Sequence, residues 1–186
     1  MDDCFCFQGR LPYASMNELV ETHPSSWILV AGSRAIRTTM LTFVARLAER
    51  GPVRVLDGGN QFNAYLISRE LRGQPVLLER IIVSRMFTCY QVLASLEKMV
   101  APSAPFIVLD LLHTFYDETI PFHERRILVE RCIPHLGRLS RQARGAISVH
   151  SPALEADALF AILKTAAPET WMQESPIPTS QPWRLF

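Results

Sequence analysis

The chain has 186 residues, 48% of them apolar, which suffices for one domain with a real core and excludes disorder throughout. Lys+Arg number 19 against 18 Asp+Glu, so net charge says little about partners. The basic side is almost all arginine, with Lys98 and Lys164 the only lysines, a skew that suits bidentate contacts with phosphate or carboxylate.

Residues 1–24 form a mixed N-terminal segment, in which FCF and LPYASMNELVE offer a short strand and one helical turn before HPSS breaks the chain. The acid-led start, MDDCFCFQGR, does not read as a signal peptide. No apolar stretch reaches the roughly 18 residues of a membrane span. Cys4 and Cys6 make a C-x-C pair, Cys89 and Cys132 stand alone in apolar contexts, and no second pair sits at zinc-finger spacing. Buried thiols in a reducing compartment are therefore expected, in the cytoplasm or, in a eukaryote, the nucleus.

A core is expected over 25–167. WILVA (27–31) is a continuous apolar run bounded by polar turns, as in a buried strand. Helical spacing of Leu41, Val44, Leu47 and Ala48 predicts a helix from about Thr38 to Arg50, ended by Gly51-Pro52. VRVLD (53–57) reads as a second strand stopped by Gly58-Gly59-Asn60. Helices are predicted over 61–72, with Phe62, Leu66 and Leu71 inward, and over 85–99, with Phe87, Tyr90, Leu93 or Ala94, and Leu96 inward. Ile81–Val83 reads as a short strand or a helix start. FIVLD (106–110) is the third strand, and LLHTFYDETIP a long connection. A long helix is expected over 122–143, with Ile127, Val129, Ile133, Leu136 and Leu139 inward and Pro134 kinking or splitting it. GAISVHS (145–151) is the fourth strand, and 154–164 a helix or a mobile loop. The tail, 168–186, holds four prolines with Trp171, Trp183 and Phe186. It is expected to lie over the domain, form an edge strand, or dock on a partner. Strands alternating with helices predict an α/β fold with a mostly parallel sheet flanked by helices.

Four polar features follow predicted strands: AGSRAIRTT, DGGN, Asp110 and His150. In a parallel sheet they emerge at one edge, where ligands bind. The first aligns with the phosphate-loop pattern GxxxxGK[ST]. Ala31 takes the first glycine, Ile36 the second, Arg37 the lysine and Thr38 the hydroxyl. Ile36 is the departure that matters, because a β-branched residue does not take a glycine-only conformation cheaply. Asp110 has the position of a magnesium-holding aspartate, or caps a turn; Asp57 orients its loop or a metal water, or ends its strand. His113, His123 and His135 lack metal-ligand spacing, and Asp117 or Glu118 could supply a general base. Arg125, Arg126, Arg131, Arg138, Arg141 and Arg144 give the long helix and its exit a basic character, as a DNA-facing stripe or a solvated face.

The order and spacing of these pieces over 25–152 resemble the RecA-like recombinases and their non-catalytic paralogs. VAGSRAIRTTMLTFVARLA stands for the phosphate loop, VRVLDGGNQF for the second strand, RMFTCYQVLASLEKM for the arginine-led helix, and PFIVLDLLHTFY for the magnesium-aspartate strand. RILVERCIPHLGRLSRQARGAISVHS stands for the helix and strand that follow. The resemblance implies a P-loop core in which Gly32, Ser33, Arg34, Ala35, Ile36, Arg37, Thr38 and Thr39 meet a nucleotide. Thr38 and Asp110 hold magnesium, and Asp57 and His150 couple the site to its surroundings. The water-activating glutamate expected two residues beyond Asp57 is replaced by Gly59, so no catalytic residue is assigned.

The expected function is a RecA-like accessory protein of DNA recombination or repair, with weak or absent ATP hydrolysis. It binds single- or double-stranded DNA through Arg125, Arg138, Arg141 and Arg144, or a recombinase-like partner, in a homo- or hetero-oligomer away from membranes. ATP and Mg2+ are the cofactors implied, or none. The alternatives are a slow magnesium-dependent ATPase with an atypical loop and a structural α/β subunit of an assembly.

Overall fold

The computed structural model describes residues 6–8, 27–100, 103–150 and 157–173. Its central strands are the apolar runs β2 (Trp27–Gly32), β3 (Val53–Asp57), β5 (Phe106–Leu109) and β6 (Gly145–His150). Buried on both faces, they need no polar alternation. With β1 (Cys6–Gln8), β4 (Ile81–Arg85) and β7 (Glu169–Gln173) they form one seven-stranded sheet, ordered β1-β7-β2-β6-β5-β3-β4. Every pairing is parallel. The expected α/β fold with a parallel sheet is the observed one.

Among the described residues five helices cover the sheet: α1 (Ala35–Arg50), α2 (Ala64–Glu70), α3 (Cys89–Lys98), α4 (Phe122–Ser140) and α5 (Ala158–Ala166). Short 3-10 turns span Pro75–Arg80 and His113–Tyr116. Alternate residues of β2 divide the core in two. Ile28 and Val30 meet Met40, Leu41, Phe43 and Val44 of α1 and Ile67 of α2. Trp27, Leu29 and Ala31 belong with Val92 and Leu96 of α3, Val129 and Leu136 of α4, and Leu163 of α5. Each such aliphatic side chain, fully buried, stabilises the fold by about 1.5–3 kcal/mol.

Several expectations need correction. Helix α1 begins three residues earlier than Thr38, directly after a tight turn. Helix α2 begins at Ala64 rather than 61, because the Asn63 side chain accepts the Leu66 N–H and caps it there. The segment expected to open the third helix is β4 and a turn, and α3 starts at Cys89 behind its cap Thr88. That register turns Cys89, Val92, Leu93 and Leu96 inward and leaves Phe87 and Tyr90 exposed. Ile127 is exposed as well. Helix α4 runs through Pro134 unsplit. Pro134 lies on the exposed side, with Cys132 and Leu136 anchoring the helix to the core around it. The tail does not begin as a covering or edge strand: β7 sits inside the sheet between β1 and β2, and the sheet thus reaches past residues 24 and 167 on both sides.

Candidate functional site

Strand β2 leads to α1 on one face, whereas its neighbour β6 leads towards α5 on the other, and β5 leads to α4 on that same face. Where neighbouring strands part in this way, the loops leave a crevice at their carboxyl ends. A cavity of about 1070 Å³ opens there. Arg34, Ile36 and Arg37 line it from beyond β2, Gln61 from beyond β3, Phe87 from beyond β4, and Asp110, His113, Thr114, Tyr116 and Asp117 from beyond β5. Ser148 and His150 complete it from β6. Three of the four polar features expected at this edge thus line one cavity; of the fourth, DGGN, no residue does, but Gln61 directly after it does.

Asp110 is the centre of the arrangement. It is buried and its backbone is left-handed, with φ 51°, a conformation that costs a non-glycine residue about 1–2 kcal/mol. Hydrogen bonds hold it there. Its N–H donates to Ser148 Oγ at 2.9 Å, and its Oδ1 accepts the His150 N–H at 3.0 Å. Gln61 Nε2 lies 3.5 Å from Oδ2, and His113 Nδ1 lies 3.9 Å from the same oxygen. Burial pushes the Asp110 carboxyl above its ordinary range; the His150 N–H, the two imidazoles and Gln61 pull it back in part. This carboxylate ties β5 to β6 and to the β3 loop while facing the cavity.

Asp57 is fully buried at the end of β3. Oδ1 accepts the Gln61 N–H at 2.7 Å, Oδ2 accepts the Phe62 N–H at 3.0 Å, and Arg85 Nε lies 3.8 Å away. It holds the loop and so presents Gln61 to Asp110. Gly59 fits between them because it has no side chain: a Cβ there would lie 2.6 Å from Asp110 Cβ.

Only Ser33 and Arg34 separate β2 from α1. Backbone bonds close this turn, with Ile36 N–H donating to Ser33 O at 3.0 Å and Arg37 N–H to Arg34 O at 3.3 Å. Two amides that a phosphate-cradling loop would present are thereby engaged. Ile36 is buried in the first turn of the helix. The Arg37 Nε–H donates to Gln61 O at 3.0 Å, which joins this turn to the β3 loop. Thr38 is exposed on α1 and does not line the cavity with Asp110; Thr39 Oγ1 lies 3.4 Å from Ala35 O. Among the described residues no group of three or more His, Cys, Asp or Glu side chains is arranged to hold a metal ion.

The arginines of α4 divide: Arg125 and Arg138 are partly buried and bond to backbone carbonyls, whereas Arg126 and Arg131 are exposed. Arg125 donates to Phe115 O at 3.1 Å and stands 5.7 Å from the Phe122 ring centroid. Arg138 donates to Met99 O at 3.1 Å and Leu96 O at 2.8 Å, capping the end of α3. Arg131 pairs with Glu97 and Arg126 with Glu130. Arg141 is exposed, and Arg144 is half-buried just before β6.

Sequence reasoning missed Gln61, Phe87, Thr114, Tyr116 and Ser148 as cavity residues. Ser148 carried a usable signal, as a polar side chain inside an otherwise apolar strand run. Tyr116 hydrogen-bonds through its hydroxyl to Asp157, whose other oxygen caps α5 through Leu159 and Phe160 N–H. The Thr114 hydroxyl is buried and has no partner.

No family model matches the chain, and no curated protein does. Among solved structures, it is similar to one described as a DnaB-like replicative helicase and its interactions with primase. The identity is 12% and the TM-score 0.46, over 76% of this chain and 45% of that one. The chain thus spans less than half of that protein's length, and the likeness is weak and partial. Among the described residues no helix is long and apolar enough to cross a membrane.

Proposed function

We propose that the chain is a RecA-like accessory protein of DNA recombination or repair, binding DNA or a recombinase partner, with weak or absent ATP hydrolysis. The observation that carries the loss of hydrolysis is the contact between Gly59 and Asp110. In the family that the sequence resembles, a glutamate at the position of Gly59 activates water. Here any side chain at that position would run into Asp110. Loss of a general base corresponds to about 10²–10⁴ in rate. The closed β2–α1 turn supports the same reading, since its amides already bond within the turn. Arg34 and Arg37 line the same crevice as Asp110, so an anionic ligand remains compatible with it.

ATP turnover with magnesium, and fluorescence anisotropy with single- and double-stranded DNA at low salt, test the proposal. The expected result is background turnover that Asp110→Ala leaves unchanged, and DNA or recombinase binding that persists in Arg37→Ala. Magnesium-dependent hydrolysis abolished by Asp110→Ala would overturn the first half in favour of a slow ATPase. Absence of binding to any nucleic acid at low salt, alone or with a recombinase, would remove the DNA half.

A further inference from the structure

We infer that the crevice receives a guanine nucleotide, with its base rather than its phosphate at Asp110. The cavity, about 1070 Å³, is of the size that holds small-molecule ligands. Two of its buried polar groups lack good partners. Asp110 Oδ1 is satisfied by the His150 N–H at 3.0 Å. Oδ2 is not: Gln61 Nε2 stands at 3.5 Å and His113 Nδ1 at 3.9 Å, both beyond a good N–H···O distance. A buried carboxylate oxygen without a close donor is costly, and an occupant bearing N–H groups relieves that cost. The Thr114 hydroxyl, buried in the same lining, has no partner among the described residues.

The matching occupant carries N–H donors and a carbonyl acceptor side by side on one edge. Guanine does so: its N1–H and 2-amino group donate, and O6 beside them accepts. The donors suit Asp110 Oδ2, and O6 suits the Thr114 hydroxyl. Adenine and cytosine set a ring-nitrogen acceptor beside their amino group, and thymine has one N–H between two carbonyls. A planar base also needs a face to lie on. The Phe87 ring is 72% exposed and lines this cavity, and an aromatic ring stacks on any base. At the rim, Arg34 is exposed and its guanidinium has no partner among the described residues, whereas Arg37 is held by Gln61 O. A guanidinium grips phosphate through two parallel hydrogen bonds. Asp110 and Thr114 thus select the base, and Phe87 and Arg34 hold the nucleotide. The same chemistry arrives as a free mononucleotide or as an unpaired guanine in single-stranded DNA, and the inference needs neither hydrolysis nor a recombinase.

Calorimetry of the full chain with guanosine, inosine and xanthosine monophosphates, and anisotropy with labelled oligothymidine with or without one central guanine, test it. Inosine monophosphate lacks the 2-amino group and is expected to bind about tenfold or more weakly than guanosine monophosphate, the effect of one hydrogen bond to a charged group. Asp110→Asn should reverse the preference towards xanthosine monophosphate, whose 2-oxo group accepts from the new amide. Misfolding would not produce that reversal. Phe87→Ala should weaken every nucleotide about tenfold or more; Phe87 is exposed, so this variant keeps the fold, which circular dichroism checks. Tighter binding of the guanine-bearing strand identifies single-stranded DNA as the source. Binding of the mononucleotide without any strand identifies the free nucleotide, and the inference then stands while the DNA reading falls. Equal affinity for both strands, with guanosine and inosine monophosphates indistinguishable, overturns the inference and leaves DNA binding intact. Unchanged guanine binding in Asp110→Asn, or no binding of guanine in either form, overturns it as well.

Discussion

At Asp110 the protein keeps a carboxylate under cover where a neutral group would cost less. Burial raises its proton affinity in the folded state above that in the unfolded chain. The stability linked to this group is therefore fully present below the unfolded value and is lost as pH rises through the folded one. Asp110→Asn keeps an oxygen for the His150 N–H and presents an amide where Oδ2 meets Gln61 and His113. The variant should gain on the parent in urea unfolding at pH 7, with the gain shrinking as the pH falls towards 4. A variant that loses more at pH 7 than at pH 4 would show that the ionised form is the stabilising one. The aspartate itself was legible in the sequence, because it ends an apolar strand run. Its left-handed backbone and its ties to Ser148, Gln61 and His150 were not, since they depend on three segments far apart in the chain.

Among the elements, the buried strands were the most legible and the amphipathic or polar ones the least. WILVA, VRVLD, FIVLD and GAISV announce themselves by unbroken apolar runs, whereas β4 hides in VLLERIIVSR and β7 in a proline-flanked ETWMQ. The start of α3 had a signal that periodicity overrode. Thr88 and Gln91 have the spacing of a capping box; Thr88 Oγ1 accepts the Gln91 N–H, and Gln91 Oε1 accepts the Phe87 N–H. Sequence also marked α4 as basic without showing how its arginines are used. Arg138 secures α3 from the side, so Arg138→Ala should cost about 1–2 kcal/mol in chemical unfolding, by releasing the Leu96 and Met99 carbonyls. DNA affinity, compared under conditions where both proteins are folded, should stay unchanged. Weakened DNA binding with unaltered stability would return Arg138 to the role expected from the sequence.

Across the whole molecule, two apolar layers enclose the sheet, and the layer on the α3, α4 and α5 side holds both described thiols, Cys89 and Cys132. Burial pushes the Cys132 thiol up to about 12 and raises Cys89 as well. Thiolate is the reactive form, so both should resist a disulfide reagent at pH 8 in a Cys4→Ser, Cys6→Ser background and react together on denaturation. Rapid reaction of either thiol in the folded protein would mean that this layer opens locally. The sheet order carries a consequence for how the chain is made. Strand β2 is an early segment, yet both its neighbours, β6 and β7, are late ones. During synthesis β2 emerges well before both its partners, and its two edges can pair only once β6 and β7 have followed. An apolar strand left unpaired during synthesis is open to aggregation or chaperone capture, and β2, inside the sheet, is among the last strands to gain its neighbours.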